Sequence, residues 1–64
     1  METIEIKLPL GAKNPRLKQM ENYTMLYYDI SDYSQRESLN IIDYEIESLV
    51  TKDDCELLTL IRKI

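Results

Sequence analysis

Histidine, phenylalanine and tryptophan are absent from this 64-residue chain, which also has only one cysteine, one glycine and two prolines. Each shortage excludes something. Without histidine there is no Cys/His metal site and no imidazole to act as a general base. With Cys55 alone, no disulfide can form within the chain. Cys55 also lies beside Asp53, Asp54 and Glu56, whose negative charges oppose a thiolate, so it is expected to be structural. One glycine cannot supply the glycine-rich spacing by which several backbone amides converge on a phosphate. No apolar run approaches the ~20 residues that span a bilayer. The start, METIEIKLPL, alternates and does not read as an apolar leader. A cytoplasmic protein is expected, because a single reduced cysteine is ordinary there.

What is present is charge and small size. A chain of this length forms one domain, residues 1–64, and buries only about 60% of its unfolded surface. A core of this size rarely supplies more than ~3–5 kcal/mol net, which leaves self-association, or good packing without help, to hold the fold. The net charge of −4 argues against direct binding to nucleic acid, which needs clustered cations. Acidity is concentrated in the second half: residues 33–64 carry seven acidic and four basic groups, against five and four in residues 1–32. Asp29 and Asp32, and the group Asp53, Asp54 and Glu56, lack the spaced oxygens and mid-loop glycine of a calcium site and read as solvated turns. No cofactor or metal is expected. A chain this short has little volume for a pocket, so an enzyme is not expected either.

Residues 2–8 alternate, with Ile4, Ile6 and Leu8 facing one way and Thr3, Glu5 and Lys7 the other, which predicts a strand with one face on the core. Leu10 to Arg16 (LGAKNPR) reads as a loop, and the cations of KNPRLK as its solvated decoration. Leu17 to Met20 fits either a short strand or a connector, followed by a tight turn at Glu21-Asn22. Tyr23 to Ile30 (YTMLYYDI) predicts an interior strand, with Leu26, Tyr28 and Ile30 on one face and Tyr23, Met25 and Tyr27 on the other. Glu56 to Ile64 (ELLTLIRKI), apolar on both faces, predicts a second interior strand.

Between these two strands, Ser34 to Val50 (SQRESLNIIDYEIESLV) predicts a helix. Ser34 and Glu37 have the spacing of a capping box. Leu39, Ile42, Ile46, Leu49 and Val50 fall within roughly 100° of one helical face. Ile41 and Tyr44 then project from the opposite face, among Glu37, Asp43, Glu45 and Glu47, as an acidic-rimmed apolar spot of the kind that docks a partner. The expected fold is therefore α+β: a three- or four-stranded mixed sheet with one amphipathic helix on one face and a parallel crossover. Its uncovered sheet face would carry Tyr23, Met25 and Tyr27. All five aromatic residues are tyrosine, a residue suited to half-wet interfaces.

Tyr28-Asp29-Ile30-Ser31, followed by the capped segment and another apolar strand, resembles the strand–helix core of STAS-type anti-sigma antagonist domains over about thirty residues. The resemblance implies a small regulatory β-α-β domain. The family's Asp-Ser-x-Gly helix start is missing here, so its switch serine is not carried over to Ser31 or Ser34. The expected function is a small acidic protein-interaction module that binds, and inhibits, a larger protein, in the manner of a phage or mobile-element accessory protein acting on a host nucleic-acid enzyme. The alternative is a self-assembling, homodimeric subunit. The expected binding residues are Ile41, Tyr44, Glu37 and Glu45 on the helix, with Tyr23, Met25 and Tyr27 on the sheet.

Overall fold

The computed structural model describes residues 2–64. They form six strands: β1 (Thr3–Pro9), β2 (Lys13–Gln19), β3 (Thr24–Ile30), β4 (Tyr33–Leu39), β5 (Tyr44–Thr51) and β6 (Cys55–Arg62). Among the described residues there is no helix. The strands make two antiparallel three-stranded sheets, ordered β1-β6-β5 and β2-β3-β4. Leu8, Leu58 and Leu60 from the first sheet meet Leu26 from the second, and Ala12 from the corner between β1 and β2, in one buried cluster, which places the two sheets face to face.

The expected α+β fold is thus overturned, and with it the helix at 34–50, the parallel crossover and the basis of the STAS-like resemblance. The segment splits into β4 and β5. Tyr33 follows a two-residue hairpin turn in which Ser31 and Asp32 have φ of 50° and 67°. Positive φ at both central positions is the type I′ geometry whose twist matches that of the flanking strands. Ser34 and Glu37, the supposed capping box, sit on opposite sides of β4 because side chains alternate along a strand.

The helical period is an imitation produced by a bulge. β5 aligns Ile46 with Leu60 and Ser48 with Thr59, so that Glu47 is an extra residue in the ladder. One inserted residue shifts the alternation, and the inward set becomes Tyr44, Ile46, Leu49 and Thr51. The interval of three between Ile46 and Leu49 is what resembles a helix face. Leu39, Ile46 and Leu49 do pack on the core, whereas Ile42 is 43% and Val50 46% exposed. Ile41 and Tyr44, expected to project outward, pack against the core instead.

Other segments follow their local chemistry. Ile4, Ile6 and Leu8 of β1 face inward, as their alternation predicts, opposite Leu60, Leu58 and Glu56. β3 and β6 are the central strands of their sheets. The supposed loop at 10–16 is instead a tight corner followed by a strand. Ala12 N donates to Pro9 O at 3.0 Å, and Gly11 has φ 95° at the third turn position, where a type II turn requires a positive φ. β2 begins two residues later, at Lys13.

One carboxylate of the supposed solvated turns is turned inward. Glu56, 7% exposed, accepts from Gly11 N at 2.8 Å and from the Thr51 hydroxyl at 2.6 Å. It ties the β1–β2 corner to the end of β5. The Thr51 hydroxyl, and after it the Gly11 amide, hold its carboxyl below the ordinary value of 4.5. A depressed carboxylate stabilises the fold above its unfolded value and loses that contribution as pH falls through the folded one. Glu56→Gln is therefore expected to lower the melting temperature at pH 7, with the gap to wild type closing on acidification below pH 4.5. Melting curves across that range check it, and a pH-independent gap would deny the carboxylate its role.

Candidate functional site

The outer face of the β2-β3-β4 sheet is built around the central strand β3. Alternation sends Thr24, Leu26, Tyr28 and Ile30 toward the core side and Met25, Tyr27 and Asp29 outward. The strand registers then place the neighbours. Lys13 and Ser34 flank Asp29, Arg16 and Arg36 flank Tyr27, and Lys18 and Ser38 flank Met25. Tyr23, just before β3, continues the same side and is half-buried. Three strands of seven residues present a face roughly 20 Å by 10 Å.

A second bulge assembles the cations. Lys13 and Arg16 are three positions apart, so a regular strand would send them to opposite faces. Between them the register shifts, and Asn14 adopts φ 54°. The extra residue returns Arg16 and Lys18 to the side of Lys13. Pro15 follows at a sheet edge, where its missing N–H costs no ladder bond. The motif KNPRLK thereby becomes a basic row along an aromatic strand. The sequence signal was there, in the clustered cations and the Asn-Pro pair, but without the register it reads as an ordinary loop.

Arg16 is held in place. Its Nη2 lies 3.2 Å from Asp29 Oδ1 and donates to Ser34 Oγ at 3.4 Å, while its Nη1 donates to Asn14 O at 2.7 Å. Asn14 Nδ2 donates to the other Asp29 oxygen at 3.1 Å. The Asn14 amide, and next the Arg16 guanidinium, hold the Asp29 carboxyl below its ordinary range. Among the described residues, Arg36 and Lys18 form no ion pair. Lys13, Arg16, Lys18 and Arg36 against Asp29 give this face a balance of +3. In a chain of net charge −4, the remaining surface then carries −7.

The seven residues expected to bind a partner do not share one surface. Tyr23, Met25 and Tyr27 lie together on this face. Glu37 is exposed on the opposite side of β4, and Glu45 is on the outer side of β5, in the other sheet. Ile41 and Tyr44 are partly buried and pack against the core cluster, and the Tyr44 hydroxyl donates to Glu2 Oε1 at 2.5 Å. The acidic-rimmed spot around Ile41 and Tyr44 does not exist, because it depended on the helix. Arg16, Lys18 and Arg36 are the members of the face that sequence reasoning missed.

No cavity and no cluster of potential metal ligands occurs among the described residues. No helix among them is long and apolar enough to cross a membrane. Comparison with known proteins finds no match for the chain among family models, curated proteins or solved structures.

Proposed function

We propose that the chain is a small protein-interaction module that acts by covering part of a larger protein, with the outer face of β2-β3-β4 as its binding surface. The observation that carries this reading is the composition of that face. Half-buried Tyr23, Met25 and Tyr27 run down its middle, flanked by Arg16, Lys18 and Arg36. Tyrosine, methionine and arginine are the residue types enriched at protein interfaces. The acidic remainder of the molecule favours partners that present a localised negative patch to this face and positive charge around it. Buried, unpaired Cys55 supports a reducing compartment such as the cytoplasm.

Affinity capture from the source cells tests the proposal, comparing wild type with Tyr23→Ser/Tyr27→Ser and with Val50→Ser on the outer side of the other sheet. Wild type and the Val50 variant are expected to retain the same protein in stoichiometric amount, and the double variant to lose it. Equal capture by all three chains would overturn the assignment of this face. Light-scattering mass of the wild type over a wide concentration range separates a foreign partner from the self-assembling alternative.

A further inference from the structure

Four strands lie at sheet edges, and three of them carry a blocking device. β2 has a bulge and Pro15, β5 has the bulge at Glu47, and β1 ends in Pro9. Bulges and prolines are the means by which proteins keep an edge from pairing with another chain. β4 has neither. Its seven residues pair with β3 in unbroken register, and six of the seven are exposed, with Tyr33 at 71%.

The orientation of the free backbone follows from the hairpin. A two-residue type I′ loop makes Ile30 and Tyr33 a hydrogen-bonded pair, and such pairs alternate along an antiparallel ladder. Tyr33, Gln35, Glu37 and Leu39 therefore direct their N–H and C=O groups toward β3. Ser34, Arg36 and Ser38 direct theirs outward. Their side chains are those on the basic outer face, with Arg36 next to Tyr27.

We propose that β4 is a docking edge, on which an extended acidic segment of the partner protein adds as a fourth strand and sets a carboxylate beside Arg36. This rests on the reading of the outer face as the binding surface, and it names the partner's chemistry. Main-chain bonds to Ser34, Arg36 and Ser38 supply affinity, and alternate side chains of the added strand meet the outer face and supply specificity. Charge complementarity selects the occupant. Arg36 forms no ion pair among the described residues and lies at the centre of the strand, so an acidic residue opposite it makes a favourable cross-strand pair. A second copy fits worse. Symmetric antiparallel pairing of β4 with itself over all seven residues puts Arg36 opposite Arg36, and like charges directly opposite destabilise. A nucleic acid also fits worse. It offers no strand backbone to the edge, and its phosphates would run past the patch onto exposed Glu21 and Asp32.

The test titrates the full ¹⁵N-labelled chain with a ten-residue peptide of alternating glutamate and valine, and with its lysine–valine counterpart. The acidic peptide is expected to shift the amides of Ser34, Arg36 and Ser38 and to slow their exchange with solvent, while the basic one does neither. Arg36→Glu is expected to weaken binding about tenfold, because a favourable cross-strand pair becomes a repulsive one. Arg36→Lys should retain most of it. Ser38→Pro removes an outward N–H without touching the β3 ladder and should abolish binding with the remaining spectrum unchanged. If that variant fails to fold, Arg36→Glu and the peptide pair still decide the question.

Equal binding of both peptides, or shifts confined to Met25 and Tyr27, would overturn the proposal. So would a wild-type dimer that Ser38→Pro converts to monomer, which assigns the edge to a second copy. Binding of a twelve-residue oligothymidylate in place of the peptide would assign it to nucleic acid. Partner capture lost with Tyr23→Ser/Tyr27→Ser but kept with Ser38→Pro would remove the edge and leave the interaction face standing.

Discussion

Leu58→Ala is expected to abolish cooperative folding at room temperature. Leu58 is fully buried in the central strand β6, between Ile6 of β1 and Leu49 of β5. Truncating a buried leucine costs about 2–5 kcal/mol, the lost transfer energy plus the cavity left behind. The core of a domain this size rarely supplies more than ~3–5 kcal/mol net. The loss is therefore of the same order as the whole. Collapse of neighbouring side chains offers little relief, since among the described residues the fully buried part of the cluster is small, Leu8, Ala12, Leu26 and Leu60 beside Leu58. Ile61→Ala, on the half-exposed outer side of the same strand, should cost much less. Thermal melts of the two variants check this. A Leu58→Ala chain that melts cooperatively within a few degrees of wild type would mean that the sheets do not pack through β6.

The second large effect separates two adjacent residues. Ile41→Asp is expected to unfold the chain, and Ile42→Asp to leave it folded. Ile41 packs on the core, and its carbonyl accepts from the Thr24 hydroxyl at 2.7 Å, where Thr24 is itself only 2% exposed. An aspartate there forfeits the apolar contacts of a partly buried isoleucine and sets a charge with no partner against the core. Ile42 is 43% exposed, and a charge at that position stays in water. A helix over 34–50 would reverse the order, because its core stripe contains Ile42 and excludes Ile41. Circular dichroism of the pair therefore discriminates between the two folds. An intact Ile41→Asp beside an unfolded Ile42→Asp would rule out the two-sheet packing at this joint.

The parts of the fold legible in the chain are those where one regular period runs unbroken. Ile4, Ile6 and Leu8 keep a period of two, and they line the inner side of β1. The two-sided segments YTMLYYDI and ELLTLIRKI correspond to the two central strands, β6 starting one residue earlier at Cys55. What misled was the stretch where the period breaks. The bulge at Glu47 and the joint at 40–43 convert two strands into a spacing of threes and fours. Ser34 and Glu37 supplied a plausible cap at the right place. Such local signals are weak beside tertiary pairing. Strand β6, apolar on both faces, gains a hydrogen-bonded neighbour on each side only if residues 44–51 are extended.

The candidate site divides in the same way. That Tyr23, Met25 and Tyr27 share one side of a strand is a consequence of alternation alone, and so is their separation from Leu26 and Tyr28. The exclusion of histidine-dependent chemistry and of internal disulfides is likewise a property of the residues present. Only the tertiary structure decided that Ile41 and Tyr44 pack against the core, that KNPRLK is a strand, and that Arg36 stands across from Arg16 with Tyr27 between them. The physical reason is register. A single inserted residue sends every later side chain of a strand to the other face. Whether a residue is inserted is settled by which strand lies alongside, a partner that for β1 is some fifty residues away in the chain.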